Sequence, residues 1–196
     1  MKTGVRGKPI AGGVIRRFRR FLDDRRGVGA VEFAIVAPVL LMFYIGSFEI
    51  SVAMTVARKV DRAANTVSDL LTQNETLSTV TLDSMKDVTT NVLEPFPAGE
   101  YTLRMTGIAI SPTGEAKVAW SRDQNGATPY PKNSAVALPD DVDLTNTFVV
   151  RAELIVPHEI LLMLPGLRGI VPNEVNLTRT SYFMKRQGTI TCSDCG

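Results

Sequence analysis

Thirty consecutive residues, Val28 to Ala57, contain only two charged side chains, Glu32 and Glu49. Within them, Phe33 to Phe48 (FAIVAPVLLMFYIGSF) carries none. As a helix the thirty residues span about 45 Å and the uncharged core about 24 Å. The hydrocarbon layer of a bilayer is about 30 Å thick, so the core with its Ala/Val flanks can cross it. The length of the run and the arginines clustered ahead of it favour a membrane span over a buried helix of a soluble domain.

The flanking charges set a direction. Residues 1–27 hold nine Lys/Arg (Lys2, Arg6, Lys8, Arg16, Arg17, Arg19, Arg20, Arg25, Arg26) and two acids, a net +7. The whole chain carries +2, so the other 169 residues carry −5. A basic head before a membrane segment faces the cytoplasm, which puts residues 1–27 inside and the chain beyond about 58 outside. An acidic body excludes a nucleic-acid-binding domain. Within the head, VIRRFRRFL (14–22) places Val14, Ile15, Phe18, Phe21 and Leu22 at helical spacing, a short basic amphipathic helix or else a disordered basic tail. A secretory leader is cut after its apolar region at small residues. Here Gly46-Ser47 is embedded among Phe and Ile, so any cut belongs before the apolar run.

Glu32 is the costly residue. A carboxylate at the bilayer centre costs about 2.5 kcal/mol or more, and such groups have a partner or a function. The nearest upstream cations, Arg25 and Arg26, lie seven and six residues away. Glu32 therefore either finds its partner outside its own helix or reaches to the headgroups. Glu49 lies 17 residues further on. At 100° per residue the two acids do not share a stripe, and Glu49 reads as a solvated acid at the outer interface. Pro38 is tolerated in a membrane helix, with local loosening.

The run RRGVGAVEFAIVAPVLLMFYIGSFEI resembles the N-terminal signature of the TadE-like family, pilin-like proteins of the bacterial Tad (Flp-type) pilus assembly system. Arg25-Arg26, Gly27, the AVEFA core Ala30–Ala34 with Phe33, Pro38, and Gly46 through Glu49 carry the resemblance. It covers residues 25–62. It implies a prepilin-peptidase site with the cut between Gly27 and Val28, and Glu32 as fifth residue of the mature chain. It also implies an assembly role for Glu32, which would meet the cationic amino terminus of a neighbouring subunit. Two groups costly in lipid would then neutralise each other and set the register of helix packing. Gly27, lacking a side chain, lets the backbone extend and approach the peptidase closely.

Beyond the membrane the pattern predicts an α+β chain: a single transmembrane helix extended into the periplasm, then a small antiparallel-sheet domain. The expected segments are a basic cytoplasmic leader (1–27), the transmembrane helix (28–57), a periplasmic helical segment (58–94) and a β-rich domain (95–196). Val56, Val60, Ala63, Val67 and Leu70 form a narrow apolar seam, facing either the chain's own domain or a neighbouring subunit. Residues 78–93 read as a second helix, capped by Ser78 or Thr79, with Val80, Met85, Val88, Val92 and Leu93 apolar. Tyr101–Ile110 and Glu115–Ser121 flank the turn Ser111-Pro112-Thr113-Gly114. Residues 122–146 read as a long loop. Thr147–Val156 alternates as a half-buried strand, and Leu177–Gln187 is a fourth strand. Four strands on helices make one small core. The apolar segment 160–172, ILLMLPGLRGIVP, is too short to span a bilayer. It reads as buried under the sheet, or as a loop docking on a partner or touching the membrane.

Cys192 and Cys195 close the chain as CxxC. In an oxidising exterior a local disulfide ranks first, ahead of free or intermolecular thiols and of a zinc or redox site. Zinc would need two more ligands, and His158 is the chain's single histidine. No catalytic set, phosphate loop, cofactor or metal site is expected. Two functions remain. One is a TadE-like minor pilin (pseudopilin), a single-pass inner-membrane component of pilus assembly or secretion. Its partners would be the lipid bilayer, a prepilin peptidase, other pilin-like subunits and the Tad secretion machinery, and it could be pilus-associated. The other is an uncleaved, membrane-anchored periplasmic binding or scaffold module.

Overall fold

The computed structural model describes residues 27–96, 101–139, 145–160 and 174–195. The basic leader, its 14–22 stretch and residues 161–172 of the apolar segment lie outside the described residues. The architecture is α+β: a long apolar N-terminal helix followed by a four-stranded antiparallel sheet domain. The chain resolves into two units, Met1–Ser47 and Phe48–Gly196.

Helix α1 runs from Val28 to Thr72 without interruption at Pro38. Its described part in the first unit is apolar on all sides apart from Glu32, which needs no amphipathic stripe if lipid surrounds it. In the second unit α1 becomes amphipathic. Val56, Val60, Ala63, Ala64, Val67, Ser68 and Leu71 are buried in the domain core. The seam therefore faces the chain's own domain. It ends on Leu71, with Leu70 only half-buried at its margin. At 100° per residue, Leu71 lies closer than Leu70 to the centre of the stripe.

A turn through Gln73 and Asn74 leads to a two-residue strand, β1 (Thr76–Leu77), and then helix α2 (Thr79–Leu93). Ser78 caps α2, its hydroxyl accepting the Thr81 N–H at 3.2 Å. The buried stripe of α2 is Leu82, Met85, Thr89 and Leu93. Val80, counted among the apolar positions of this helix, is 77% exposed. It occupies the first turn on the outer side, and Leu82 fills the place. Thr89 is compatible with burial because its hydroxyl donates to the Met85 carbonyl at 2.8 Å. Lys59 on α1 donates from Nζ to the Val92 and Glu94 carbonyls at the end of α2. That is a favourable place for a cation.

Strands β2 (Thr102–Ile110), β3 (Ala116–Asp123), β4 (Thr147–Glu159) and β5 (Glu174–Met184) form one sheet in the order β3-β2-β4-β5, every neighbour antiparallel. The β2–β3 turn closes through Ser111 N–H to the Glu115 carbonyl at 2.9 Å. Gly114 there has φ +84°, a conformation that glycine adopts freely. Phe148, Val150, Ala152, Leu154 and Val156 point into the core with α1 and α2. The other face is more covered than a half-buried strand predicts. Val149 is 1% exposed and packs with Ile108 and Ile110 under Val136 and Leu138. Residues 124–139, expected as plain loop, are tied to the edge strand: the Asn133 N–H donates to Val118 O at 2.8 Å and Val136 N–H to Ala116 O at 3.0 Å. Over the same face Tyr130 stacks beneath the Arg151 guanidinium, 4.7 Å from its ring centre, and donates to Glu153 at 2.8 Å. The last strand, β6 (Thr191–Cys192), pairs in parallel with β1.

Candidate functional site

The signature residues lie on the exposed start of α1. Gly27 immediately precedes the helix, and a Cβ added there would meet nothing within 4 Å. Packing against the described residues does not require glycine at this position. Val28 is 51% exposed. Glu32 projects from the second turn, exposed, and makes no ion pair among the described residues. Phe33 beside it is 71% exposed. Pro38 follows within the same exposed stretch, where Leu40, Leu41, Phe43 and Tyr44 also point outward. The helix contains an 18-residue window of mean hydropathy 2.2, none of it buried by protein, and is long and apolar enough to cross a membrane. Among the described residues nothing covers that apolar surface.

Glu49 is placed differently from the solvated acid expected of it. Its side chain is 12% exposed and faces His158 near the end of β4, the His158 Nε2 lying 3.8 Å from a carboxylate oxygen. Position 49 is seven residues before Val56 and eighteen before Val67, so it shares the azimuth of the buried seam. Glu32 and Glu49 thus divide: the first is held on the exposed, apolar part of α1, the second belongs to the sheet domain.

The domain's other charged contacts lie around α2. Arg122 on β3 grips Asp83 through two bonds, Nε–Oδ1 at 2.7 Å and Nη2–Oδ2 at 3.0 Å. That contact holds the Asp83 carboxyl below its ordinary value and raises the Arg122 guanidinium. Asp194 accepts from the Thr79 hydroxyl at 2.8 Å and from the Thr79 N–H at 3.0 Å, which lowers its carboxyl in the same sense. Carboxylates whose folded pKa is depressed contribute stability above their ordinary range, near 3.8, and lose it as pH falls through the folded values. Domain stability is therefore expected to drop below about pH 4, by a small amount because both acids are exposed. Urea midpoints measured at pH 3 and pH 6 should show this drop, and Asp83→Asn should reduce it. An equal drop in that variant would remove the Arg122 contact as a cause.

Cys192 and Cys195 are joined by a disulfide. With Asp194 they form the one group of three potential metal ligands among the described residues. A disulfide sulfur is not a thiolate and does not serve as a zinc ligand while the bond stands.

No curated protein and no solved structure matches the chain. The TadE-like protein family model matches residues 27–69. That span runs from the open backbone at Gly27, through the exposed apolar helix with Glu32, into the buried seam. Residues 27–69 are thus similar to the TadE-like protein family, over the exposed apolar helix and the start of the buried seam.

Proposed function

We propose that the chain is a TadE-like minor pilin, a structural pseudopilin rather than an enzyme, inserted in the bacterial inner membrane with residues 1–27 cytoplasmic and the sheet domain periplasmic. A prepilin peptidase removes the leader after Gly27. The observation that carries this reading is the family domain at 27–69 with Gly27 five residues before Glu32, on a helix whose surface is apolar and exposed. The open surroundings of Gly27 favour access by a protease. Cleavage gives Val28 a cationic amino group. A neighbour's Glu32 then neutralises it where both are otherwise expensive.

Sequencing the N-terminus of protein extracted from membranes of cells with an active prepilin peptidase should return Val28. Gly27→Leu should retain the basic leader and run larger by its mass. Recovery of Met1 from the wild-type chain would instead support the uncleaved, anchored module.

A further inference from the structure

The C-terminal disulfide sits at a junction that joins three parts of the sheet domain. Cys192 belongs to β6, which lies on β1, and the Thr191 N–H donates to the Glu75 carbonyl at 3.1 Å. Asp194, inside the four-residue disulfide loop, sits on the first amide of α2 at Thr79. Ile190, just before, is 1% exposed, and its carbonyl accepts the Trp120 indole N–H at 3.1 Å. Residues 189–192 also form one wall of a cavity of about 510 Å3 whose lining includes Trp120 and Phe148.

We propose that Cys192–Cys195 is a redox-operated clasp on this junction. Closed, it shapes the tail so that Asp194 caps α2 and β6 lies on β1. Open, the tail from Thr189 onward leaves, α2 loses its distant cap, and one wall of the cavity is removed. The geometry separates a clasp from a global staple. The bond closes a loop of only four residues, so it constrains little of the unfolded chain. What it orders is local: two strand residues, one cap and one indole bond. The main sheet has its own ladders and the α1 seam.

The bond is reachable: Cys192 is half-exposed, while Cys195 is 7% exposed. A dithiol partner attacks Cys192 Sγ, and Cys195 leaves as the thiolate. The partner's second thiol then displaces Cys192 and the partner departs as a disulfide. Two electrons and two protons end on Cys192 and Cys195.

Trp120 is the chain's single tryptophan, so its emission reports the tail directly. The full-length chain in detergent micelles is treated with a phosphine reductant, and thiol labelling confirms that the bond is open. Trp120 emission should move to the red. Amide exchange over Leu77–Leu82 should rise about tenfold or more, while Ala152–Val156 stay protected. Reoxidation should reverse both. The double variant Cys192→Ser/Cys195→Ser should show the released state with or without reductant, with unchanged far-UV circular dichroism. Unchanged emission and exchange in the labelled, reduced protein would overturn the clasp. So would accelerated exchange spreading into β4, which would make the bond a staple of the whole domain.

Discussion

Gly107→Ala is expected to lower the stability of the sheet domain by about 3 kcal/mol, at the upper end of overpacking costs. Gly107 lies on β2 where the register shifts between Gly107 and Ile108. An added Cβ would overlap the Trp120 indole and lie 2.8 Å from Phe148 Cζ. Both rings are buried, at 3% and 2% exposure, so neither can swing out to solvent without opening the core. The indole is further held by its bond to the Ile190 carbonyl. Backbone cannot retreat easily either, because β2 is a central strand bonded on both sides. Denaturant midpoints of the full chain in detergent check this. A wild-type midpoint would mean that the rings yield, and that glycine here serves the bulge alone.

Glu32→Gln carries the second large effect, on assembly rather than folding. Under the minor-pilin reading the variant should insert and be cut normally, because the peptidase would read Gly27 and the apolar flank. Removing the charge eases insertion by about 2 kcal/mol at most near the interface. Under the minor-pilin reading, pilus output should nevertheless fail. A neighbouring ammonium left unpaired in low dielectric is a deficit of several kcal/mol, on the order of the 3–5 kcal/mol typical of a broken buried pair. Glu49→Gln separates the two acids. Glu49 is turned onto His158 within the domain, so its loss should alter domain stability more than subunit contact. Pilus counts and subunit crosslinking, alongside the size of the processed form, provide the readout. Normal assembly of Glu32→Gln would make the carboxylate a bystander.

Much of the fold was legible because it is written in local periodicity. The apolar run, the seam after Val56, the Ser78 cap and the Ser111–Gly114 turn each follow from neighbours in sequence. The misplacements have physical causes. Val80 is apolar and near the helix start, but the azimuth of Leu82, Met85, Thr89 and Leu93 leaves it outside. A threonine in that stripe hides the pattern from a hydrophobicity count. Glu49 reads as an interfacial acid from its count along the membrane helix and its azimuth relative to Glu32, although its seven-residue step to Val56 puts it on the seam. The cover over the outer sheet face escaped notice because Tyr130, Val136 and Leu138 are isolated among turn residues. Pairing of β1 with β6 leaves no local trace: two residues pair with two others about 115 positions away.

The position of Ile190 also sets a timetable for making the protein. A chain emerging from the ribosome presents α1 well before residues 190–194. The core around Trp120 stays unfilled until Ile190 arrives, and the start of α2 waits for Asp194. Synthesis must therefore pass residue 194 before this domain can close, and a nascent domain paused short of residue 190 holds an open hydrophobic slot.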